Sequence, residues 1–329
     1  EKEIPFSWRD FCTKGAKDHE MAYHPRRINA PMKRVGDRYV ETSWEEAIED
    51  IAARLKKIVA EHGPNAVGAY GGNPQAFSFD GPTFMTAFLK SIGTHQWFWV
   101  GSVDTNAMHA VAELMHGSPF IFTSVDVDPC RCFLLIGTNP ADSTNCWGGH
   151  VPDGWKRILA AQEKGADVIV VDPRRTPTAA KANLHIAIKP GEDWAFLLGV
   201  LKMVFANGWL DQQDADKGRG IEVVRKLVES VSLADLSARC EVPVAQIEDV
   251  AKRFATAPTA HCVTRTGPGQ SKNGALAEWL SNVLNFVTGR YDRPGGRVYN
   301  PGIFVQIKAA ESLFPPSKTP SPGGGIVPV

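Results

Sequence analysis

The sequence predicts an α/β fold in which mainly parallel sheets are flanked by helices. Apolar runs of strand length alternate with amphipathic stretches of helix length through most of the 329 residues, which is typical of helices packed on a parallel sheet. Several of these runs stop at a turn rich in glycine and proline. With 43% apolar and 22% charged residues, the chain can bury a large core, as expected for a globular protein.

Six apolar runs are predicted to be strands. They are residues 66–70, 97–101, 132–136, 168–171, 184–188 and 261–265. The turns that follow five of them are Gly71-Gly72-Asn73-Pro74, Gly137-Thr138-Asn139-Pro140, Asp172-Pro173-Arg174, Pro190-Gly191 and Gly267-Pro268-Gly269. In open parallel sheets, ligands bind beyond the carboxyl ends of the strands, where such turns expose backbone N–H groups. The repetition therefore indicates a ligand-binding edge.

The helices are predicted from the residues at their ends. Ser43 with Glu46 three positions later forms a capping-box signature, and apolar residues then recur at helical spacing until Gly63. Acidic residues begin a second helix over 193–204, and a third, over 276–287, ends just before a glycine.

Composition excludes several classes of partner. The 36 basic and 36 acidic residues cancel, and no basic block is interleaved with aromatic side chains, so nucleic-acid and anionic-membrane binding are not expected. The most apolar helical stretch, 194–209, contains Lys202 and is shorter than the roughly 20 residues of a membrane span. Cys130 and Cys132 have the spacing of a metal-binding pair, but without a second pair nearby they are better explained as core residues.

Two acids follow neighbouring predicted strands. Asp172 and Asp193 can accept hydrogen bonds from ribose hydroxyls or from the N–H edge of a purine, while Arg174, Arg175 and Thr176 can bind phosphate oxygens. Taken singly, each stretch is explained equally well as a turn or a helix cap. Five such turns together favour a ligand. A GxGxxG fingerprint is absent, so a simple NAD site is not favoured.

Seven short stretches, in a fixed order, are similar to those of one family. They are FCTKG (11–15), YHPRRINAPMKRVG (23–36), SWEEAIEDIA (43–52), IGTNPADS (136–143), VVDPRRTPTA (170–179), IKPGEDWA (188–195) and TGRYDRPGG (288–296). Each is weak alone, but together they are specific and extend over almost the whole chain. The sequence resembles the molybdopterin-dependent oxidoreductases of the dimethyl sulfoxide reductase type, which include formate dehydrogenases and nitrate reductases.

This resemblance implies a bis-molybdopterin guanine dinucleotide cofactor around one molybdenum or tungsten ion, bound at strand ends of two Rossmann-like α/β units. The residues implied along one dinucleotide are Gly137, Thr138, Asn139 and Pro140. Those implied for guanosine and phosphate are Asp172, Arg174, Thr176, Gly191 and Asp193, with Asp193 as the guanine acceptor. Those implied near the pterin or the metal are Gly267, Gln270, Asn273 and Gly274.

The resemblance also implies a protein ligand to the metal from the loop before the GTNP strand. Counting back from Gly117 places Asp104 at this catalytic position, with Ser102 as its rival. A carboxylate is a hard oxygen donor that suits high-valent molybdenum. The alternative is that Asp104 caps the helix that contains Met108.

One departure from the family concerns its iron–sulfur cluster. The family's opening Cys-x-x-Cys-x-x-x-Cys run is absent, and only the later cysteine, Cys12, is present. It is followed by Lys14, which the resemblance places between cluster and pterin. One thiolate cannot hold a [4Fe–4S] cluster, so the chain is expected to be either an N-terminal-half fragment, with the cluster in its full-length parent, or a divergent short protein.

The resemblance divides the chain into four regions. Residues 1–40 are the expected remnant of the iron–sulfur domain, 41–103 a first, discontinuous α/β unit, 104–300 a second unit that binds the guanine dinucleotide, and 301–329 a Pro/Gly-rich return segment.

The implied function is two-electron redox chemistry or oxygen-atom transfer on a small-molecule substrate. Electrons would pass through Lys14 and a cluster to an iron–sulfur partner subunit. One alternative is a cofactor-free structural relative, similar to the iron–sulfur subunit of respiratory NADH dehydrogenase, and another is an ordinary nucleotide-binding α/β protein. The acids Asp172 and Asp193, with Arg174 and Gly191, argue against a mere scaffold.

Overall fold

The computed structural model describes residues 13–72, 80–119, 121, 123–143 and 151–299. Cys12, the end of the predicted turn at 71–74, the segment 301–329 and the side chains of Lys14 and Ser102 lie outside this description. The described chain forms two compact units, one up to Ser102 and one from Val103 onward.

The described part of the first unit contains three longer helices and four short strands. They are α1 (Thr13–Ala22), β1 (Met32–Val35), β2 (Arg38–Glu41), α2 (Trp44–His62), β3 (Ala69–Gly71), α3 (Asp80–Ile92) and β4 (Trp97–Trp99). β1 and β2 pair as an antiparallel hairpin, and β3 pairs with β4 in parallel. The short helix α4 (Gly101–Asp104) follows.

The N-cap predicted at the start of α2 is confirmed. The Ser43 Oγ accepts a hydrogen bond from the backbone N–H of Glu46 at 3.1 Å, and the helix ends at Gly63, whose φ is 80°. The Glu46 carboxylate accepts from Thr42 Oγ1 at 2.6 Å and from Lys33 Nζ at 2.9 Å. These contacts take the place of the bond from the Ser43 backbone N–H that would complete a capping box.

The second unit is built around a four-stranded sheet. Its first elements are α5 (Asn106–His116), β5 (Thr123–Val125), β6 (Cys132–Ile136), α6 (Gly154–Glu163), β7 (Asp167–Val171), β8 (Leu184–Ile186) and α7 (Asp193–Ala206). Its later elements are α8 (Gln212–Ala215), α9 (Ile221–Ser230), α10 (Leu233–Cys240), α11 (Val244–Thr256), β9 (Ala260–Thr264), α12 (Thr266–Gly269), α13 (Gly274–Val287) and β10 (Arg297–Tyr299).

The sheet has the order β8-β7-β6-β9, and every pairing is parallel. Ile136 lies opposite Val171 and Thr264, and Val171 lies opposite Ile186. The carboxyl ends of the four strands are therefore aligned at one edge. The predicted α/β class, with helices flanking a parallel sheet, is confirmed.

Both faces of this sheet are buried, as expected for parallel strands. Successive side chains point to opposite faces, so Leu134 and Ile136 join one core with α7, α10, α11 and α13, while Phe133 and Leu135 join another with β5 and α6. α7 is buried on nearly its whole circumference. Such a helix needs apolar residues all round, which explains the run Ala195–Leu201.

Asn285 closes the outer side of β9, the last strand in the order. Its Oδ1 accepts from the backbone N–H of Cys262 at 2.9 Å, and its Nδ2 donates to the Cys262 carbonyl at 2.8 Å. The side-chain amide thus pairs the backbone N–H and C=O of Cys262 as a neighbouring strand would, at the edge of the sheet where no strand follows.

Four of the ten strands were not predicted. The β1–β2 hairpin is exposed and half polar, so it has no apolar run to detect. β5 and β10 are far apart in the sequence but pair with each other, with Val125 opposite Arg297. The predicted strand 66–70 begins later, because Pro64–Ala66 forms a 3-10 turn. Among the described helices, none is long and apolar enough to cross a membrane.

Candidate functional site

The aligned strand ends bring most of the predicted residues to one edge. The turn 137–140 follows β6, 172–176 follows β7, 189–193 follows β8 and 265–270 follows β9. We call these four turns the strand-end set. Such an edge is where open α/β sheets bind ligands.

The turns after β6 and β9 touch each other. Gly137 has a φ of 58°, and a Cβ built on it would lie 2.2 Å from Pro268 Cδ and 3.2 Å from Gly267 Cα. The backbone N–H of Gly267 also donates to the Gly137 carbonyl at 3.4 Å. Only glycine satisfies both the backbone angle and this close approach.

Asn139 organises its own turn. Its Oδ1 accepts from Thr178 Oγ1 at 2.6 Å, and its Nδ2 donates to Asp142 Oδ2 at 2.6 Å. Both polar atoms of the Asn139 side-chain amide are thus hydrogen-bonded within the protein. The neighbouring Thr138 is only 4% exposed, yet its hydroxyl has no hydrogen-bond partner among the described residues, which is unusual because buried polar groups are nearly always paired. Pro140 is buried beside it.

Asp172 has the turn-forming role considered for it. Its Oδ1 accepts from the backbone N–H of Arg174 at 2.8 Å, which is the local bond of an Asx turn. Its backbone carbonyl lies 2.9 Å from His185 Nε2. Arg174 is exposed, whereas Thr176 is 3% exposed and its hydroxyl accepts from the backbone N–H of Ala179 at 3.1 Å. The side chains of Asp172 and Thr176 therefore form hydrogen bonds that stabilise their own turn.

Asp193 is the first residue of α7 and is only 6% exposed. Glu192 occupies the N-cap position, and no side-chain cap bond forms there, so capping does not account for the acid. Burial raises the pKa of Asp193 to about 6, and the charges of Asp172 and Glu192 add to this effect, while a hydrogen bond from the residue's own backbone N–H opposes it. In the described chain no cation pairs with Asp193. A buried, unpaired carboxylate is costly, which marks it as a candidate ligand-binding group.

The turn after β8 meets the loop before α13. Gly191 has a φ of 83°, and a Cβ on it would lie 3.5 Å from Ser271 Cβ. Gly274 packs on backbone oxygens, since a Cβ there would lie 2.6 Å from the Gly269 carbonyl. Gln270 is exposed and Asn273 half-buried. α7 and α13 both begin at this edge, and their N-termini favour negatively charged groups.

Asp104 ends α4 and lies close to the β9 turn. Its Oδ1 accepts from Thr266 Oγ1 at 2.6 Å, and its carbonyl oxygen lies 3.6 Å from where a Cβ on Gly269 would be. Thr105 is the N-cap of α5. The alternative in which Asp104 caps that helix is therefore wrong.

Sequence analysis did not identify several residues that shape this edge. They are Thr178, His185, Thr266 and Ser271. Each acts through a contact with another turn, and nothing in its local sequence indicates that contact. Thr266 could have been considered because it directly precedes the predicted Gly267.

Cys130 and Cys132 are buried core residues, as expected. Burial raises the pKa of the Cys130 thiol to about 12 and that of Cys132 well above its usual value. A buried thiol of this kind is inert. Within the residues described, no group of three or more metal-ligating side chains comes together.

Two surface concavities are lined by residues outside the strand-end set. One, of about 410 Å³, is lined by Lys17, Glu20, Met21, His24, Arg26 and Arg27. Another, of about 230 Å³, is lined by Pro258, Thr259, Gly289, Arg290, Arg293, Pro294 and Gly296. Neither is lined by a predicted site residue. The candidate site is therefore identified by the chemistry of its residues and not by the size of a cavity.

Comparisons with known proteins identify the family of this chain. The family model described as "Molybdopterin oxidoreductase" matches residues 27–312. The periplasmic nitrate reductase of Desulfovibrio desulfuricans is 27% identical over 310 residues, which cover 88% of this chain and 39% of that protein. The F420-dependent formate dehydrogenase 1 subunit alpha of Methanococcus maripaludis is 26% identical, over 89% of this chain and 42% of that protein.

A solved structure shares the fold. Acetylene hydratase from Pelobacter acetylenicus superposes with a TM-score of 0.72 at 22% identity, covering 88% of this chain and 39% of that one. The chain thus spans about two fifths of the length of the relatives it matches. Since the family model covers most of the sequence, this chain belongs to the molybdopterin oxidoreductase family.

Proposed function

We propose that this chain is the cofactor-binding part of an enzyme that carries out two-electron redox chemistry or oxygen-atom transfer with a molybdopterin guanine dinucleotide. The observation that carries this proposal is Asp193, a carboxylate that is buried, unpaired among the described residues and located at the ligand-binding edge of a parallel sheet.

The residues of the edge fit a guanine nucleotide. Guanine presents adjacent N–H donors, and an ionised carboxylate such as Asp193 accepts them in charge-assisted hydrogen bonds. The free oxygen of Asp172 can accept from ribose hydroxyls. The exposed Arg174 and the N-termini of α7 and α13 suit phosphate oxygens. The hydroxyl of Thr138, which has no partner in the described part of the chain, can donate a hydrogen bond to a bound ligand.

The glycines of the edge allow a flat ligand to approach the backbone. Gly137 and Gly191 have positive φ values, and neither presents a Cβ to the edge. We assign Gly267, Gln270, Asn273 and Gly274 to the pterin side, where Gln270 is exposed. In this proposal residues 104–300 hold one dinucleotide and the discontinuous unit 41–103 contributes to the other.

The proposal gives Asp104 the role of metal ligand. Its carboxylate is half-buried, and only one of its oxygens receives a hydrogen bond in the described structure. Carboxylate oxygen suits molybdenum or tungsten in a high oxidation state. When bound, the metal–pterin group supplies the electron-pair chemistry, and the protein supplies binding, orientation and electrostatics.

The remaining assignments rest on the family resemblance. We propose a small-molecule substrate and an iron–sulfur partner subunit, with Lys14 on the electron path and Cys12 as one ligand of a [4Fe–4S] cluster in a longer protein. The names of the relatives, which include a nitrate reductase and a formate dehydrogenase alpha subunit, are compatible with small-molecule substrates.

Cofactor analysis tests the proposal. The protein is purified from cells that make molybdopterin and is analysed for molybdenum and tungsten, for the fluorescent oxidation product of pterin, and for GMP released by mild acid. We expect metal, pterin and GMP together. Asp193→Asn is expected to lose most of the GMP and pterin, whereas the surface control Asp249→Asn is expected to retain both.

Each other result has a definite meaning. Metal and pterin without GMP would contradict the proposed guanine dinucleotide form of the cofactor, but the proposal of redox chemistry would stand. If both this chain and its full-length form are folded but hold neither metal nor pterin, the proposal is overturned. That result would favour a cofactor-free structural relative. Retention of GMP by Asp193→Asn would remove Asp193 from the guanine site.

A further inference from the structure

His261 is a buried histidine whose ring has no hydrogen-bond partner among the described residues. The residue is 2% exposed, and neither Nδ1 nor Nε2 meets a donor or an acceptor there. A neutral imidazole has one N–H donor and one acceptor nitrogen, and buried polar groups are nearly always paired. Both ring nitrogens therefore need partners other than the described side chains and backbone.

Arg297 presents an unpaired donor in the same unit. It is 7% exposed, so its guanidinium is also removed from solvent. Its Nη2 donates to Glu278 Oε1 at 3.4 Å and its Nε donates to the Thr123 hydroxyl. Its Nη1 has no acceptor within the described structure. One end of a buried cation is therefore left to bind something else.

Strand pairing places these two side chains in one core. His261 on β9 lies opposite Phe133 on β6, and Arg297 on β10 lies opposite Val125 on β5. Side chains of directly opposed residues share a face of their sheet, and both Phe133 and Val125 belong to the core that contains β5 and α6. Burial lowers the pKa of His261 well below its usual value, and the positive charge of Arg297 adds to this effect. The two groups are therefore neighbours, although no direct hydrogen bond joins them in the described chain.

The charges around the two side chains favour a neutral ligand. Glu278 already pairs with Arg297, and burial keeps the imidazole of His261 uncharged. A halide or a carboxylate would add a buried negative charge without a counter-ion, and a metal cation would be repelled by the guanidinium. Water adds no charge, and it can accept from Nη1 while it donates to the unprotonated ring nitrogen.

We propose that the second unit contains an internal water site, in which one water molecule bridges Arg297 Nη1 and the unprotonated ring nitrogen of His261. A bridging water of this kind is nearly as favourable in enthalpy as a direct hydrogen bond, and internal waters characteristically satisfy buried polar groups that the protein itself leaves unpaired. The bridge connects β9, which leads into the strand-end turn 265–270, with β10. The inference does not depend on the proposed function or on a bound cofactor.

Crystals of the whole chain grown in bromide test the site directly. We expect an electron-density peak that refines as a water oxygen, about 2.7 to 3.2 Å from both Arg297 Nη1 and a ring nitrogen of His261, without anomalous signal at the bromine edge. An anomalous peak would identify a halide and overturn the assignment of water. A protein side chain in that position, or a direct bond from Nη1 to the ring, would overturn the site itself.

Magnetic relaxation dispersion of water ¹⁷O tests the same site in solution, because it counts long-lived internal waters. His261→Phe keeps an aromatic ring but removes both nitrogens, so we expect this variant to hold one such water fewer than the wild-type protein. The control is His62→Phe, at the exposed end of α2, which should hold the wild-type number.

Thermal unfolding shows whether His261→Phe is folded. An unchanged number of long-lived waters in the folded variant would contradict the bridge. The crystal experiment uses the wild-type protein, so it decides the proposal even if His261→Phe does not fold.

Discussion

Two buried regions of the second unit hold carboxylates in opposite ways. At the strand-end set, Asp193 is 6% exposed and has no cation beside it in the described chain. On α13, Glu278 is equally buried, but it pairs with Arg297 at 3.4 Å, accepts from Asn282 Nδ2 at 2.9 Å and bonds to the Thr264 hydroxyl. Both acids lie near the ends of sheet strands, and only one is satisfied.

The difference separates structural acids from ligand-binding acids. A buried charge with a full set of partners is part of the fold, because removing one member leaves the others uncompensated. A buried charge without partners opposes folding and persists only where function requires it. Burial alone does not distinguish the two regions, whereas the presence or absence of internal partners does.

The largest effect is expected where the partners are complete. Glu278→Ala should lower the free energy of unfolding by about 3 to 5 kcal/mol, because Arg297 would remain buried without its counter-ion. Urea denaturation followed by circular dichroism measures this change. Glu248→Ala, on the exposed face of α11, is the control and should change stability by less than about 0.5 kcal/mol. A loss below about 1 kcal/mol for Glu278→Ala would show that the two regions do not differ.

The next effect compares two glycines of the strand-end set. Gly137→Ala combines a φ of 58° with a Cβ 2.2 Å from Pro268 Cδ, so it should cost roughly 2 to 4 kcal/mol. Gly191→Ala also has a positive φ but meets Ser271 Cβ at only 3.5 Å, so about 1 to 2 kcal/mol is expected. Equal losses in thermal or urea unfolding would contradict the close contact between the β6 and β9 turns.

Asp193→Asn is expected to change stability in the opposite direction. Because burial raises the folded-state pKa to about 6 from a usual value of 3.8, the ionised acid disfavours the folded state. Stability should therefore fall as pH rises from about 4 to 6, and Asp193→Asn should remove this loss, gaining roughly 1 to 3 kcal/mol at pH 7.5 and little below pH 4. Urea unfolding of the ligand-free proteins at several pH values measures the difference.

Asp214→Asn provides the matched control for that series. Asp214 is 7% exposed but pairs with Lys217 at 3.0 Å and with Arg293 at 2.8 Å. Its replacement should destabilise the protein at pH 7.5. If both variants shift stability in the same direction, the contrast between unpaired and paired acids is not supported.

The smallest effect concerns two buried threonines. Thr138→Val removes a hydroxyl that has no partner within the described structure, so ligand-free stability should change by less than about 0.5 kcal/mol or rise slightly. Thr264→Val removes a bond to Glu278 and should cost about 1 to 3 kcal/mol. Thermal unfolding of both variants side by side tests this. A cost for Thr138→Val as large as that for Thr264→Val would mean that its hydroxyl is already satisfied.

Much of the fold followed from local sequence. The strand 132–136 was predicted with its observed bounds, because a run buried on both faces is continuously apolar. The start of α2 was predicted because a cap is a bond between residues three apart. The turns after β6, β7, β8 and β9 were predicted because their glycines and prolines shape the chain locally.

The contacts between distant segments did not follow from sequence. Asn285 closing β9, Thr266 bonding to Asp104 and Glu278 pairing with Arg297 each join residues whose neighbours in the chain give no indication of the partner. The same limit applies to Asp193. Its position at the start of a helix is predicted, but its lack of a cation or side-chain partner among the described residues is a property of the folded surroundings.

Titration of Asp193 tests the central claim most directly. In protein labelled with ¹³C at aspartate side-chain carboxyls, one resonance, identified by its absence from Asp193→Asn, should titrate with a midpoint near pH 6. Saturating GMP should move that midpoint to lower pH, because guanine donors favour the ionised form. A midpoint near pH 4 that does not change when GMP is added would contradict the claim that Asp193 is a buried carboxylate, without a cation beside it, that binds guanine.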